Sequence, residues 1–327
     1  MRILVTGGAG YIGSHTVKQL LARGHDVTVF DNLSAGHRQA VPAERLIVGD
    51  LRDVDQVDHV LVVNRIEAVV HFAACCYVGE SVTDPAKYYT NNLIHTLNLI
   101  DRCRRNGIGK FVFSSTCATY GVPTAVPITE DEKQAPINPY GNTKLAIERA
   151  LFDYSHAYPF GFCALRYFNA SGAAADGSIG EDHDPETHLI PLVLQVALGQ
   201  RPYLDIYGTD YPTADGTCIR DYIHVDDLAS AHILALEKIA PGSRLAYNVG
   251  IGRGYSVREV IETAHLVTGK PIAVKESSRR PGDPPVLVAN AERARRDLGW
   301  SPHFIDLQSI IETAWKWHKS RPNGFGG

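Results

Sequence analysis

A glycine-rich loop between an apolar strand and an amphipathic helix constrains the fold of this chain most. Residues 2–6 form a short run rich in aliphatic side chains, and Val-Thr-Gly-Gly-Ala-Gly-Tyr-Ile-Gly extends from Val5 to Gly13. Gly7, Gly10 and Gly13 have the spacing at which glycines permit a tight turn, close approach of the backbone to a pyrophosphate, and close packing of helix on strand. We predict that this loop binds a dinucleotide at the start of the following helix.

Further apolar runs predict strands that helical patterns separate for the most part. Such alternation indicates a parallel sheet with helices on both faces, and ligands collect at the carboxyl ends of its strands. We therefore predict an α/β protein with a Rossmann-type doubly wound parallel sheet. The runs are Arg2–Thr6, Asp26–Phe30, Arg45–Val48, Ala68–Phe72, Lys110–Ser114 and Phe162–Arg166.

The second half of the chain differs in composition and in the length of its predicted elements. From Gly172 onwards, loops rich in glycine, aspartate and proline alternate with short helical patterns. The stretch 221–239 predicts a helix that begins at Asp226 or Asp227. Residues 245–249 predict a strand, and residues 306–319 a closing helix. We predict a dinucleotide-binding domain at 1–169, to which the chain returns at 221–249. A smaller mixed α/β substrate domain would comprise 170–220 and 250–327.

Asp31 indicates which dinucleotide the loop would take. It ends the second predicted strand, 24 residues after Gly7. A carboxylate at this point accepts a hydrogen bond from an adenosine ribose hydroxyl and repels the extra phosphate of NADP, which favours NAD. The alternative is that Asp31 only caps a loop. Asp50 and Leu51 follow the third strand, where an adenine edge would pass.

A tyrosine and a lysine four residues apart supply candidate chemistry. Tyr140 and Lys144 lie in Tyr-Gly-Asn-Thr-Lys, and on a helix this spacing places both side chains on one face. The ammonium group would then lower the pKa of the phenol, so that Tyr140 could accept a proton near neutral pH. An isolated pair of this kind is more often a surface feature, but the upstream glycine loop favours a redox enzyme.

Composition excludes several other classes. The formal net charge of −4 gives no electrostatic support for nucleic-acid binding. No apolar stretch approaches the roughly 20 residues of a membrane-spanning helix. We predict no metal site and a cytoplasmic location, because the six cysteines lack Cys-x-x-Cys spacing and no secretory signal precedes them. They are Cys75, Cys76, Cys103, Cys117, Cys163 and Cys218.

Many ordered blocks resemble the extended short-chain dehydrogenase/reductase family, and within it the enzymes that epimerise UDP-sugars at carbon 4. The likeness extends from Met1 nearly to Trp317 and implies the fold, NAD and a nucleotide-sugar substrate. It is carried by VTGGAGYIGSH, DNLS, HFAA, VGESV, YYTNN, FSSTCATYG, NPYGNTKLAIE, LRYFNASGA, GEDH, YGTDYPTADGT, IRDYIHVDDLA, YNVG and RRPGD.

The resemblance implies a cofactor site. Its one clear departure is Cys76, which stands where relatives often have a lysine that helps to hold the cofactor phosphates. Loss of that charge would let NAD exchange more readily. The alternative is that local backbone amides suffice and that Cys76 is simply packed. The implied NAD contacts are Gly7, Gly10, Tyr11, Ile12, Gly13, Asp31, Asn32, Asp50, Leu51, Phe72, Ala73, Asn91, Tyr140, Lys144 and Tyr167.

The resemblance also implies a substrate site. Arg220 and Arg280 match the arginines that hold the pyrophosphate, and Leu287 matches a position where bulky tyrosine excludes N-acetylated sugars. Leucine is intermediate in size and leaves substrate breadth open. The implied substrate contacts are Thr116, Tyr140, Asn169, His188, Leu189, Tyr207, Arg220, Arg280, Asp283 and Leu287.

The implied reaction is the reversible interconversion of UDP-galactose and UDP-glucose through a 4-keto sugar, as in galactose metabolism. Tyr140 would be the base, Lys144 its partner and Thr116 the orienting hydroxyl. Alternatives are a 4-epimerase for UDP-xylose and UDP-arabinose or for UDP-N-acetylhexosamines, and a non-enzymatic NAD-binding regulator. Dehydration is disfavoured because Cys117 and Ala118 stand where dehydratases have Asp-Glu.

The resemblance further implies a homodimer. Its contact would join a helix at about 88–104 to the helix that begins at Tyr140. Leu93, Leu97 and Ile100 are apolar positions that fit such a face, and they fit an intramolecular core equally well.

Overall fold

A computed structural model describes residues 1–280 and 283–326. Residues 281 and 282, in the block Arg-Arg-Pro-Gly-Asp, lie outside these ranges. Residue 327, the last residue of the predicted domain 250–327, also lies outside them. The strands of the described part are β1 Arg2–Thr6, β2 Asp26–Asp31, β3 Leu46–Val48, β4 Ala68–His71, β5 Lys110–Ser114, β6 Gly161–Tyr167, β7 Asn169–Ser171, β8 Leu204–Tyr207, β9 Ile219–His224, β10 Arg244–Val249, β11 Gly254–Ser256, β12 Val274–Ser277 and β13 Val286–Leu287.

The helices begin at recognisable capping residues in several places. Asn138 accepts a hydrogen bond from Gly141 N, and Ser256 with Glu259 forms a complete capping box. The described helices are α1 Tyr11–Ala22, α2 Val54–Val63, α3 Val78–Thr83, α4 Pro85–Tyr88, α5 His95–Arg105, α6 Pro139–Ala157, α7 Leu189–Ala197, α8 Val225–Lys238, α9 Val257–Thr268, α10 Glu292–Leu298 and α11 Leu307–Ser320. Among them, none has the length and apolar character needed to cross a bilayer.

A seven-stranded parallel sheet forms the centre of the molecule. Its strand order is β10-β6-β5-β4-β1-β2-β3, and every neighbouring pair is parallel. The chain builds outwards in opposite directions from β1 and β4, so the crevice for a ligand opens between the carboxyl ends of these two strands. The predicted Rossmann-type α/β fold is confirmed.

Both faces of this sheet are buried. On β1, Ile3 and Val5 belong to a core with α1 and α8, whereas Leu4 faces a second core with α2, α5 and α6. Strands buried on both faces have continuous apolar runs, as the sequence of β1 has. The helices therefore hold the strand ends rigidly, and the site is built on those ends.

The chain returns to this sheet after leaving it. Strand β10 pairs with β6, and α8 packs against α1. A second layer contains β9, which pairs with β7, β11 and β13, and a third apolar core formed with α7, α9 and α11. The exact division of the chain into domains stays a prediction.

Candidate functional site

The glycine loop after β1 has a shape that side chains would destroy. Gly7 has a φ of +70°, and a Cβ atom on it would lie 2.5 Å from Ala73 N. A Cβ atom on Gly13 would lie 2.2 Å from Gly7 O. Gly10 is the N-cap of α1, and within the described residues no side chain caps this helix. The first-turn amides are thus available to an anionic ligand such as a pyrophosphate.

The end of β2 forms the neighbouring wall of the predicted adenosine site. The Asp31 carboxylate accepts hydrogen bonds from Ala9 N at 2.9 Å and Leu33 N at 2.8 Å. Burial raises the pKa of Asp31, and the two backbone hydrogen bonds oppose this. Asn32 Nδ2 donates to Asp50 Oδ2 at 3.0 Å, which joins the ends of β2 and β3. Asp31 therefore does cap the loop, and each of its oxygens keeps capacity for a further hydrogen bond from a ribose.

Asn92 organises the loop after β4, and sequence reasoning missed it. Its side chain accepts from Cys75 N at 2.8 Å and donates to Cys75 O at 2.9 Å. The predicted cofactor residue Asn91 donates to Asn92 Oδ1 at 3.0 Å. The adjacent asparagines in Tyr-Tyr-Thr-Asn-Asn were the available signal. Cys76 is exposed, so it is not packed as one interpretation of the sequence expected.

The candidate catalytic side chains meet where β5 ends and α6 begins. Thr116, Tyr140 and Lys144 are all buried. Lys144 Nζ donates to Ser114 O at 2.9 Å and lies 5.8 Å from the centroid of the Tyr140 ring. Ser114 Oγ in turn donates to the hydroxyl of the predicted cofactor residue Tyr167 at 3.1 Å. These residues are brought together as the sequence predicted, although their roles stay predictions.

The electrostatics of the pair differ from expectation. Burial raises the pKa of Tyr140 well above its usual value, and the neighbouring Thr116 hydroxyl lowers it only in part. Burial also lowers the pKa of Lys144 to about 8. In the protein alone, Lys144 therefore does not lower the pKa of the Tyr140 phenol below its usual value. Burial of the phenol is the largest influence on this pKa, and the Lys144 ammonium group donates its hydrogen bond to Ser114 O.

A buried ion pair supports this region from behind. Arg166 Nη2 on β6 donates to Glu148 Oε2 on α6 at 2.6 Å, and Arg166 also donates to the Tyr120 hydroxyl at 2.9 Å. Ser115 Oγ donates to the same carboxylate. The network thus ties α6, which carries Tyr140, to the end of β5. Sequence reasoning missed it because Glu148 and Arg166 are distant in the chain.

Two arginine pairs line the predicted nucleotide-sugar side. Arg220 forms a salt bridge with Asp283, and the Arg280 guanidinium carbon lies 4.1 Å from the centroid of the Tyr207 ring. Leu287 is in register with Arg220, because β13 pairs with β9. Asn169 begins β7, the next strand on β9, and is half-buried. One small sheet thus connects several predicted substrate residues.

His188 has unexpected neighbours. Its Nδ1 atom lies 2.7 Å from Glu181 Oε1, and His183 and Glu186 complete a cluster of four possible metal ligands. Leu189 begins α7 directly afterwards. Sequence reasoning identified only His188 and Leu189 here, as substrate contacts, and predicted no metal site. The spacing Glu-x-His-x-x-Glu-x-His was the missed signal.

Fold and site together define an NAD-dependent enzyme with a Rossmann-type domain. The glycine cradle, the uncapped start of α1 and the Asp31 carboxylate fit the cofactor. Residues 3–250 match the model of the NAD dependent epimerase/dehydratase family. The chain belongs to this family.

Similar proteins match along almost the whole chain. The UDP-glucose 4-epimerase of Lacticaseibacillus casei is 53% identical, covering 100% of this chain and 99% of that protein. The crystal structure of UDP-glucose 4-epimerase from Brucella ovis in complex with NAD is 51% identical with a TM-score of 0.92, covering 96% and 97% of the two chains. The Stenotrophomonas maltophila UDP-glucose-4-epimerase, with bound NAD and formylated UDP-arabinopyranose, is 38% identical with a TM-score of 0.94, covering 98% and 99%.

Proposed function

We propose that this protein is a UDP-glucose 4-epimerase that interconverts UDP-galactose and UDP-glucose. The observation that carries the proposal is the meeting of Tyr140, Lys144 and Thr116 at the carboxyl end of a parallel sheet that also presents the glycine loop. The similarity to the UDP-glucose 4-epimerases supports the choice of reaction.

In this proposal Tyr140 takes the proton of the sugar 4-hydroxyl and later returns it to the oxygen of the 4-keto sugar. Bound NAD would accept the hydride from carbon 4 and give it back to the opposite face. Thr116 orients the reacting oxygen, and Lys144 with the cofactor's positive charge offsets the raised phenol pKa that burial causes. No net oxidation occurs, because each turnover regenerates the cofactor.

The two arginine pairs suit a firm grip on the diphosphate. Arg220 and Arg280 can each present a planar set of donors to phosphate oxygens. Tyr207 is 39% exposed, and its face is available to a flat uracil ring once Arg280 turns to the phosphates. A nucleotide held at this end leaves the sugar free to present its other face to the cofactor.

Incubation of the purified protein with UDP-galactose, with and without added NAD, tests this proposal. We expect chromatography to show UDP-glucose, with no net accumulation of NADH. A dependence on added NAD would measure how much the exposed Cys76 weakens cofactor retention. Absence of conversion in protein that binds NAD would contradict the proposal and favour a regulatory role.

A second candidate substrate class is UDP-pentose. The observation that favours it is the solved relative with bound formylated UDP-arabinopyranose. A panel of UDP-galactose, UDP-N-acetylgalactosamine and UDP-arabinose at equal concentration separates the candidates. Turnover of the pentose alone would replace our first proposal.

We also infer a homodimer. Ile100 is fully buried in the chain's own core, so it does not belong to a contact face. Tyr89, Ile94 and Phe152, on α6 and on the turn before α5, are 40%, 50% and 49% exposed and are better candidates for a partner copy. Size-exclusion chromatography with light scattering should give twice the chain mass at micromolar concentration.

A cytoplasmic location is our accompanying proposal, since all six cysteines of the described chain are free thiols.

A further inference from the structure

Four side chains converge in the segment between β7 and α7. Glu181, His183, Glu186 and His188 each offer one donor atom, and these atoms all lie within 4.8 Å of one another. His183 Nδ1 lies 3.3 Å from Glu181 Oε1 and 3.7 Å from Glu186 Oε2. His188 Nδ1 lies 2.7 Å from Glu181 Oε1 and 3.3 Å from Glu186 Oε1. The cluster is separate from Tyr140 and takes no part in the proposed proton transfer.

These short distances are not hydrogen bonds. Among the described residues, Glu181 Oε1, His183 Nδ1 and His188 Nδ1 are all buried and have no hydrogen-bond partner. The Glu181 side chain is only 3% exposed, so bulk solvent does not reach it. Buried polar atoms without partners are rare and costly in proteins. The three atoms thus lie within 4.8 Å of one another and still make no hydrogen bond.

We propose that Glu181, His183, Glu186 and His188 bind one divalent transition-metal ion, for which Zn²⁺ fits best. Two carboxylates balance its charge, and two neutral imidazoles complete a tetrahedral set. Zinc ligands lie about 2.0–2.2 Å from the ion, so their donor atoms are about 3.3–3.6 Å apart. The separations His183 Nδ1–Glu181 Oε1 and His188 Nδ1–Glu186 Oε1, both 3.3 Å, lie in this interval. The 2.7 Å between His188 Nδ1 and Glu181 Oε1 is shorter, so these two atoms would move apart on binding the ion. Mg²⁺ and Ca²⁺ prefer sites made only of oxygen.

The surrounding residues hold the ligands in place. Thr187 N and His188 N donate to Glu186 Oε1 at 2.7 and 2.8 Å, and Trp317 Nε1 of α11 donates to Glu181 O at 3.1 Å. The ring of Tyr11, from the glycine loop, lies edge-on to the His183 ring at 6.2 Å. Outer contacts of this kind orient metal ligands. The ion would therefore fix this segment against the cofactor loop and against the start of α7.

A network of protonated histidines and carboxylates is the competing interpretation. It would require each imidazole N–H to be directed at a carboxylate oxygen, and neither Nδ1 atom is so directed. The two interpretations differ in a measurable way. Only the ion site predicts bound metal and a metal-dependent unfolding temperature.

Metal analysis of the wild-type protein is the first test. The full-length chain, produced in zinc-supplemented medium and dialysed against metal-free buffer, should retain about one zinc ion per chain. Removal with a strong chelator should lower the unfolding midpoint by about 5 °C or more, and added ZnCl₂ should restore it. Replacement by Co²⁺ should give the visible d–d absorption of a tetrahedral site.

Variants locate the ion. Glu181→Gln and His183→Gln should each reduce retained zinc at least tenfold and abolish the recovery of the midpoint with ZnCl₂. His156→Gln, at an exposed histidine near the end of α6, is the matched control and should retain zinc as the wild type does. Wild-type protein without zinc, without a response to ZnCl₂ and without a Co²⁺ spectrum would overturn the proposal. Retention of zinc by both cluster variants would overturn the assignment to these residues.

Discussion

In the proposed reaction Tyr140 acts only through its hydroxyl oxygen, which the substitution by phenylalanine removes. The ring packs edge-on against Tyr88 with centroids 6.5 Å apart, and this contact does not involve the hydroxyl. Tyr140→Phe should therefore fold normally and bind NAD. The loss of the proton acceptor should lower the rate of UDP-galactose conversion by about 10²–10⁴-fold.

The control for this substitution is on the same helix. Tyr154→Phe removes a hydroxyl from a half-buried tyrosine of α6 away from the candidate site, and it should leave the rate unchanged. Initial rates of the two variants, with NAD binding and circular dichroism as checks on folding, measure the difference. Near-normal turnover by Tyr140→Phe would show that another group takes the proton.

Leu287 should affect the choice of sugar. It is half-buried and, with Cys117, packs against the cluster of Tyr120, Ile128, Phe168 and Ala289. A larger side chain at position 287 reduces the space next to Cys117, which directly follows the candidate catalytic residue Thr116. We expect Leu287→Tyr to lower kcat/KM for UDP-N-acetylgalactosamine at least tenfold relative to kcat/KM for UDP-galactose. Leu287→Met, of similar volume, is the control. An unchanged ratio in the tyrosine variant would mean that Leu287 does not line the sugar pocket.

Short sequence patterns predicted the role of single residues well where the backbone conformation permits only one residue type, as it does at the glycines of the loop. The spacing of Gly7, Gly10 and Gly13 was informative because the positive φ of Gly7 and the contact of Gly13 with Gly7 O exclude side chains. The raised phenol pKa of Tyr140 depends on burial by distant segments, so the local Tyr-x-x-x-Lys pattern predicted its direction wrongly. The spacing of Glu181, His183, Glu186 and His188 is visible in the sequence, but only the structure shows that their donor atoms converge and that three of them lack hydrogen-bond partners.

At the scale of elements, the buried pair of Glu148 and Arg166 connects α6 to β6. Both side chains are less than 10% exposed. Removal of one partner leaves an uncompensated buried charge, so Arg166→Met and Glu148→Gln should each lower the free energy of unfolding by about 3–5 kcal/mol. The double substitution should cost less than the sum of the single ones.

Urea unfolding of the four proteins in the cycle measures this coupling. Arg104→Met is a suitable comparison, because Arg104 pairs with Asp101 on the surface of α5, where solvent screens the pair and its loss should cost far less. Additive effects of the two buried substitutions would indicate that Glu148 and Arg166 stabilise the fold independently.

The bounds of the helices show where the hydrophobic pattern of the sequence predicted the element correctly and where it did not. The closing helix was predicted at 306–319 and is observed at 307–320, with Asp306 accepting from Ser309 N as its cap. The helix predicted within 221–239, with its start at Asp226 or Asp227, begins at Val225, and the His224 side chain caps it by accepting from Asp226 N. Asp221 lies in β9, where its carboxylate accepts hydrogen bonds from Ile251 N, Gly252 N and Ala289 N. Those partners come from later segments, so only the tertiary structure favours a strand there.

At the scale of the molecule, the parallel sheet carries the predicted cofactor residues, and the second layer carries the predicted contacts of the nucleotide sugar. The carboxyl ends of β1, β2 and β5 present the glycine loop, Asp31 and Thr116 on one edge of a rigid sheet. The smaller sheet around β9 presents Arg220, and the separate two-stranded sheet of β8 and β12 presents Tyr207 and the nearby Arg280. This separation suits a reaction in which the cofactor stays fixed and only the sugar turns. The alternation of strands and helices predicted the first layer, while the pairing of β7, β11 and β13 with β9 had no local signal.

The response of the whole molecule to acid depends on histidines that the core holds uncharged. Burial lowers the pKa of His71 to about 3, with the nearby Lys144 contributing, and it lowers the pKa of His224 and His232 to about 4. In the unfolded chain these groups titrate near 6.5. Below that pH the unfolded state binds protons that the folded state does not, so stability falls as the pH decreases towards about 4.

His71 allows this contribution to be measured by difference. Its ring lies between the hydroxyls of Thr6 at 2.6 Å and Thr96 at 2.8 Å, in the centre of the sheet. His71→Gln removes one titrating group, so its loss of unfolding free energy between pH 7 and pH 5 should be about 2 kcal/mol smaller than that of the wild type. The other titrating groups are common to both proteins, so their contributions cancel in this difference. Urea unfolding at the two pH values gives this difference even if the variant is less stable at pH 7. An equal loss in both proteins would show that folding does not lower the pKa of His71.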